Sequence, residues 1–395
     1  MLSARRGQAG ILLSHSLLVQ LITFLLRPAT TYRAIELATP AAWLGVLSAC
    51  FAIAPLVLAL PSGALVDRVG ERRTAIAGAV LITSSGALLA ALGHGVIALA
   101  AGSVLLGVGH LCSVVAQQTL VANSARASGL DAAFGHYTFA ASLGQSLGPA
   151  VILLFSDGGS VPHTQGIFVA ATVAGLALVG LSLPFATSAT HAATPRPQVG
   201  GLGSLLRLPG LARALLTSCT ILAAVDITLV YLPALGAERG IEASAIGLLL
   251  TVRGVASMTS RLFLGRLTTL IGRRKLLITG TFVAAVTLAG AALPVSVAVI
   301  AVLMALAGLG LGVGQPITMS WLAASAPSGA RGRAMSLRLV GNRAGQVVLP
   351  SLAGALAAGT GAAGVLCATG AGLAVIAAAA RNLPVDEPGD PTASR

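Results

Sequence analysis

Gly63-Ala64-Leu65-Val66-Asp67-Arg68-Val69-Gly70-Glu71-Arg72-Arg73 is the one dense charge cluster in the first quarter of the chain, and long apolar runs flank it on both sides. A short stretch of mixed charge between two apolar runs belongs in water at one face of a membrane, because hydrocarbon offers no partner for it. Gly63 and Gly70 allow close helix packing or a sharp turn, and Asp67 can pair with Arg68, Arg72 or Arg73 across helix ends. A second copy follows in the later half of the chain, with Gly265, Leu267, Gly272, Arg274 and Lys275 again between two apolar runs. Its acidic position is Thr269. Charge pairing there is therefore weaker or absent.

Composition agrees with a membrane setting. The chain has 395 residues, of which 56% are hydrophobic and 9% charged, whereas about a quarter of an ordinary soluble protein is charged. Apolar runs of about 20 residues recur along it, each long enough to cross a hydrocarbon core of about 30 Å. Abundant glycine and alanine suit closely packed transmembrane helices. The formal charge of +13 would suggest nucleic acid in a soluble protein, but most of it falls in short loops, so no nucleic-acid partner is expected. Cys50, Cys112, Cys219 and Cys367 all lie inside apolar runs, without disulfide or metal spacing. The first run follows Arg5 and Arg6 as a signal peptide would. It is long, carries Arg27-Pro28 and belongs to the repeat, and is expected to be a retained helix.

Twelve spans are expected, at roughly 11–34, 42–63, 74–93, 95–121, 133–156, 166–186, 211–236, 243–265, 275–294, 297–322, 333–358 and 361–381. Residues 1–186 then form one six-helix unit and 211–381 a second. Residues 187–210, with Pro195, Pro197, Gly200, Gly201 and Gly203, form a linker, and 382–395 a disordered tail. Of the 24 Lys and Arg residues, 17 fall on one side, the side of both termini, and only Arg33 and Arg239 on the other. That side should be cytoplasmic.

Further pairs lie roughly 200 residues apart in the same order: Gly144-Gln145 with Gly345-Gln346, Gly107-Val108-Gly109-His110 with Gly312-Val313-Gly314-Gln315, and Arg27…Tyr32 with Asp226…Tyr231. The charged stretch and its copy fit the loop G-x-L-x-[D]-x-x-G-x-[RK]-[RK], the first in full. In this the chain resembles the major facilitator superfamily over roughly residues 11–381. The resemblance implies an all-α integral membrane protein with twelve transmembrane helices in two six-helix bundles, substrate between them, and rocker-switch alternating access. It also implies gating by the loops. Gly63, Asp67, Arg68, Gly70, Arg72, Arg73, Gly265, Gly272 and Arg274 would hold one state closed.

Charged residues inside spans are functional candidates by default, because their burial is costly. Asp226, somewhat past the midplane of helix seven, and Arg27, at a matching depth in helix one, could meet across the pseudo-twofold axis. Asp226 is the candidate proton-coupling carboxylate, its charge state depending on whether Arg27 or substrate stands beside it; the alternative is a permanent structural ion pair. Helix eight carries Arg253, Ser257 and Arg261 on one stripe, and helix eleven Arg338, Asn342 and Gln346. Five arginines against one clear carboxylate leave excess positive charge, which an anionic substrate would balance; Arg253 and Arg343 are the candidates to hold it. Arg261 and Arg338, near helix ends, fit a structural role better. Arg27, Tyr32, His110, Tyr137, Gln145, Tyr231, Gln315 and Asn342 complete the candidate substrate-binding set, although polar residues in spans also serve as plain interhelical bonds.

Gly144-x-x-x-Gly148-Pro149 partly resembles the helix-five motif of antiporters in the superfamily. Against a drug–proton antiporter, the position four before Gly107 is Ser103, where that group carries arginine. No nucleotide-binding loop, metal spacing or nucleophile constellation occurs, so neither an enzyme nor a cofactor is expected. The expected function is secondary active transport of a small molecule across a bacterial inner membrane by a monomer, coupled to protons, with efflux preferred. The alternatives are uptake or exchange of a small organic anion and, in another class, a transport-inactive scaffold or sensor.

Overall fold

The computed structural model describes residues 2–124, 130–185, 211–325 and 331–382. The expected linker at 187–210 and the tail beyond 382 lie outside them, as do Arg126, Arg196 and Arg207. Among the described residues every regular element is a helix. The first bundle comprises α1 (Leu2–Glu36), α2 (Ala41–Val69), α3 (Glu71–Leu92), α4 (Val96–Ser124), α5 (Leu130–Ala150, continued by a 3-10 turn Val151–Phe155) and α6 (Thr164–Ser182). The second begins with α7 (Leu211–Glu238) and α8 (Ala243–Leu262), which resumes after Phe263 as a short helix Leu264–Ile271. There follow α9 (Arg273–Ala291), α10 (Val297–Ser325) and a helical stretch Arg331–Ala379.

That last stretch is two spans. Its apolar part, Leu337–Ala379, has 43 residues; at 1.5 Å per residue it would run about 65 Å, twice a hydrocarbon core. Gly361 breaks it, with φ 65° and ψ −172°, a conformation open to glycine and closed to residues with a Cβ. The limbs, 331–360 and 362–379, are α11 and α12, which completes twelve spans.

The repeated charged stretches prove tighter than two spans joined by a loop. α2 runs on to Val69 and α3 starts at Glu71, so Gly70 alone is the turn, with φ 90° and ψ 156°. Gly272 repeats this between the short helix and α9, with φ 84° and ψ 146°. Each glycine donates its N–H to the helix before it and lends its carbonyl to the helix after it: Gly70 to Val66 O at 2.8 Å and from Thr74 N, Gly272 to Thr268 O at 3.1 Å and from Leu276 N. Both are left-handed positions where a Cβ would strain the backbone. Arg68, Arg72, Arg73, Arg266, Arg274 and Lys275 are exposed around these turns, and Gly265 is exposed too. They mark a basic end of the molecule. Glu71, by contrast, is buried in the first turn of α3, where a carboxylate complements the helix dipole. The surroundings of Gly63 and the side chain of Asp67 lie outside the described set.

The bundles meet along α2–α11, α5–α8 and α1–α7. Small residues bring the backbones together towards the end opposite the basic one. A Cβ on Gly45 would collide with the carbonyl of Pro350 and the backbone of Gly354, and one on Gly247 would lie 2.8 Å from Pro149 O. Such contacts replace the hydrophobic effect as the source of helix association in lipid.

Packing corrects one internal alignment. Gly107 lies against Phe51 O of α2 and Gly308 against Arg253 O of α8; Gly109 lies against Gly78 of α3, and Gly310 against Gly280 of α9. Gly107 and Gly109 therefore correspond to Gly308 and Gly310, one turn before the Gly312–Gln315 match expected from sequence. Two similar glycine pairs follow each other in α10, and only their neighbours tell which is which. His110 then has Leu311 as its counterpart, and Phe51 has Arg253.

At the end opposite the basic one, each bundle is fastened by its own ion pair or carboxylate. Arg33 at the end of α1 donates to Gly93 O (2.8 Å) after α3 and pairs with Glu36 (2.8 Å), whose carboxylate accepts from Thr164 (2.7 Å) at the start of α6. Arg239, after α7, donates to the carbonyls of Ala291, Ala292 and Leu293 after α9. Glu238 accepts from Ala362 N (3.0 Å) at the start of α12. First, third and sixth helices are tied together in both halves.

Candidate functional site

The charged residues of the spans converge where the bundles meet. Arg27 of α1 and Asp226 of α7 form an ion pair of 2.5 Å, with side chains 5% and 4% exposed. One partner comes from each bundle, so the pair closes the seam at the heart of the molecule. Arg27 also lies over the ring of Phe51, 4.6 Å from its centroid, and reaches Ser48 Oγ at 3.5 Å, both on α2. A guanidinium on an aromatic face keeps favourable electrostatics without water.

Asp226 is held from its other side as well. Gln346 of α11 donates its Nε2 to Asp226 Oδ2 at 2.6 Å, and its Oε1 accepts from Arg343 at 3.0 Å. A chain Arg27–Asp226–Gln346–Arg343 thus crosses from one bundle to the other. Arg253 of α8 is 3% exposed and lies within electrostatic reach of both Asp226 and Arg27, as Arg343 does. The Nε atoms of Arg253 and Arg343 are buried and find no hydrogen-bond partner among the described residues. Three guanidiniums lie within electrostatic reach of one carboxylate.

His110 of α4 approaches the same centre. It lies within electrostatic reach of Arg27 and Arg343, bonds Gln20 of α1 at 3.2 Å, and faces the Phe51 ring. Gln145 of α5 joins through Gln20 at 3.4 Å. Gln20, Ser48, Phe51 and Gln346 are the centre's members absent from the candidate set drawn from sequence. Gln20 stands seven residues, two helical turns, before Arg27 and so shares its face; that spacing was the available signal. Nothing local marks Ser48 or Phe51.

The remaining candidates lie elsewhere. Tyr32 and Tyr231 are fully buried in the main core. Tyr137 belongs to a separate network within the first bundle: it donates to Gln117 (3.1 Å), Gln117 bonds His15 (2.7 Å), and His15 bonds Ser182 (2.9 Å). Gln315 and Asn342 form another within the second bundle. Ser218 donates to Asn342 (2.8 Å), Gln315 donates to Ser218 O (2.7 Å), and Arg338 donates to Gln315 (2.5 Å). Arg261 bridges α8 to Ser142 of α5 at 3.1 Å and to Gly312 O. Gly144 and Gly148 of the partial antiporter motif pack α5 on Leu17 and Leu21 of α1, a packing role.

Space is distributed unevenly about the ion pair. On one side, walled by Thr30, Thr31, Leu47 and Val230, is a void of about 20 Å³, room for a water and no more. On the basic side, a cavity of about 520 Å³ opens between α5 and α8, lined by His136, Phe139, Ser142, Met258 and Arg261. Arg261 and Ser142, which bond each other across the bundles, form part of its wall. Among the described residues no cluster of His, Cys, Asp and Glu could hold a metal.

The model of the Major Facilitator Superfamily matches residues 12–239 and 214–395. Solved structures share the fold. A nucleoside transporter, NupG, aligns with TM-score 0.79 and 14% identity over 95% of this chain and 99% of its own. A D-xylose–proton symporter aligns with TM-score 0.79 and 16% identity over 95% and 97%. A POT family transporter in complex with 5-aminolevulinic acid aligns with TM-score 0.77 and 14% identity over 95% of each chain. At these identities the likeness is one of fold. No curated protein sequence matches the chain.

Proposed function

Because the chain belongs to the major facilitator superfamily, a family of membrane transporters, we propose that it moves a small solute by alternating access, with Arg27 and Asp226 as the gate that closes the end away from the basic loops. The observation that carries this reading is a buried pair made by one residue from each bundle, with a water-sized void beside it and a larger cavity between α5 and α8 towards the basic end. The basic end faces the cytoplasm of a bacterial inner membrane, as the distribution of Lys and Arg supports, and the structure is then the inward-facing state. One chain supplies both bundles and the whole centre, which supports a monomer as the working unit.

The carboxylate of Asp226 is the coupling group. It is the acid at the centre, and its partner belongs to the opposite bundle, so rocking the bundles apart changes its surroundings. Protonation biases the equilibrium only through such a difference between states.

Of the two substrate readings, the geometry favours an anion. Arg253 and Arg343 are buried cations with free Nε donors beside a carboxylate already bonded by Arg27 and Gln346. Efflux of cationic amphipathic compounds rests on the composition and on Gly144-x-x-x-Gly148-Pro149, whose glycines are used in packing α5 on α1. Direction, inward or outward, follows from how proton and solute gradients combine. The test is proton movement in proteoliposomes loaded with a pH-sensitive dye, on adding succinate, phosphate or a cationic dye in turn. Anion-driven proton flux in the wild type, lost in Asp226→Asn, supports the reading. Flux driven by the cationic dye alone replaces it with drug efflux.

A further inference from the structure

The carboxamide of Gln346 sits between a group that only accepts and a group that only donates. An ionised Asp226 accepts; Arg343 donates; an amide satisfies both in one orientation alone, its NH₂ towards the carboxylate and its oxygen towards the guanidinium. The distances, 2.6 Å and 3.0 Å, are those of that orientation. We propose that Arg253 and Arg343 form a site for a small dianion, and that Gln346 links its occupancy to the proton on Asp226, so that proton and anion bind together. This rests on the transporter reading above and adds the substrate class and the link.

Oδ1 of Asp226 receives Arg27, a permanent cation, so a proton placed there would break a charge pair. Among the described residues Oδ2 receives only the amide of Gln346, and a proton placed there breaks no charge pair. Once protonated, Oδ2 presents an O–H to the NH₂ of Gln346, donor against donor. The amide turns to offer Oε1 to the new O–H, and its NH₂ then faces Arg343, again donor against donor. Arg343 loses the one side-chain partner described for it, and its Nε has none already. A buried guanidinium without acceptors is strongly unfavourable, and an anion supplies them.

The charges act in the same direction. Arg27 of α1 pairs with Asp226, Arg253 of α8 and Arg343 of α11 lie within electrostatic reach of it, and Arg261 of α8 lies within reach of Arg253. α2 contributes the uncharged Ser48 and Phe51 beside Arg27, and α4 brings His110 within reach of Arg27 and Arg343. With Asp226 ionised the three arginines carry two uncompensated charges; with it protonated they carry three. A dianion is the complementary ligand. Linkage is reciprocal, so an anion that occupies Arg343 raises the proton affinity of Asp226 by the factor with which the proton favours the anion.

Sulfate is the probe, since it keeps both charges from about pH 5 to about pH 9 and any pH dependence belongs to the protein. Binding is measured calorimetrically on the purified full chain in nanodiscs, against chloride at equal ionic strength. In the wild type the sulfate Kd should tighten as pH falls, by up to about tenfold per unit, the limit for one coupled proton. Gln346→Met, which keeps the length and removes both hydrogen bonds, should bind sulfate with a clearly shallower pH dependence, the part that charge alone carries. Gln346→Asn, too short to reach both partners, should do the same. Asp226→Asn should bind at all pH values as the wild type does at low pH, and Arg343→Gln should bind at least tenfold more weakly. A Gln346→Met protein with the wild-type pH dependence overturns the link, and loss of that dependence in His110→Asn alone assigns it to His110. Wild-type sulfate binding no tighter than chloride at any pH overturns the anion site. If sulfate fails while proton flux still depends on Asp226, the transporter reading stands and this proposal falls.

Discussion

Asp226→Asn tests the gate most directly, because it removes one charge and almost no volume. Arg27 is 7% exposed and Asp226 3%, so the variant leaves a guanidinium buried opposite a neutral amide. Breaking a buried pair by removing one partner costs about 3–5 kcal/mol. That cost falls on the state in which the residues touch. The state closed at the end away from the basic loops therefore loses about 3–5 kcal/mol relative to one in which the bundles part there, a shift of between two and four powers of ten in the equilibrium. Two spin labels report it, one at the exposed His163 before α6 and one at the exposed Ser296 before α10, in a background whose native cysteines are replaced. The wild type should give one short distance, and Asp226→Asn a dominant longer one. Arg27→Gln with Asp226→Asn should recover part of the short population, since neither member then leaves a buried charge. Superimposable distance distributions for wild type and Asp226→Asn would refute the gate, leaving the pair as a fixed internal bond.

Other expectations are independent of that result. Arg253→Gln and Arg343→Gln should each weaken anion binding by about 1.5–3 kcal/mol, the worth of a charge-assisted hydrogen bond; Arg→Lys should rescue only in part for want of the planar fork, as titration calorimetry would show. Gly70→Ala and Gly272→Ala force a Cβ into left-handed backbone and should each cost at least about 1–2 kcal/mol, visible as a lower Tm. Asp67→Asn should insert normally and transport more slowly, while Thr269→Ala should match the wild type; full transport by Asp67→Asn would count against gating by the charged turn.

The fold was legible because a few residues carry it. Gly70 and Gly272 repeat the same left-handed turn in both halves, so the sequence repeat and the backbone repeat coincide. The centre was legible in its charges, because burying an ionisable residue in an apolar run is costly and so draws the eye to it. Its neutral members were not. Gln346 looks from sequence like one polar residue on a stripe with Arg338 and Asn342, yet those two serve an internal network one and two turns away, towards the basic end. Which of three stripe members faces the other bundle is set by how α11 rolls against α2 and α7, information spread over whole helices. The misplaced match of Gln315 to His110 has a similar origin. Two glycine pairs follow each other one turn apart in α10, and only contacts with α8 and α9 fix the register.

The fastenings at the ends of α1 and α7 bear on how the molecule is made. Arg33, Glu36, Gly93 and Thr164 all come from the first half of the chain, and Arg239, Glu238, Ala291 and Ala362 all from the second. Neither set borrows a partner from the other half, so each half can complete these fastenings before the other has been inserted. During synthesis the first six helices can then settle in the bilayer as a finished piece and wait for the rest. Two polypeptides divided within 187–210 should likewise insert separately and meet afterwards, Arg27 finding Asp226 across a seam between independent chains.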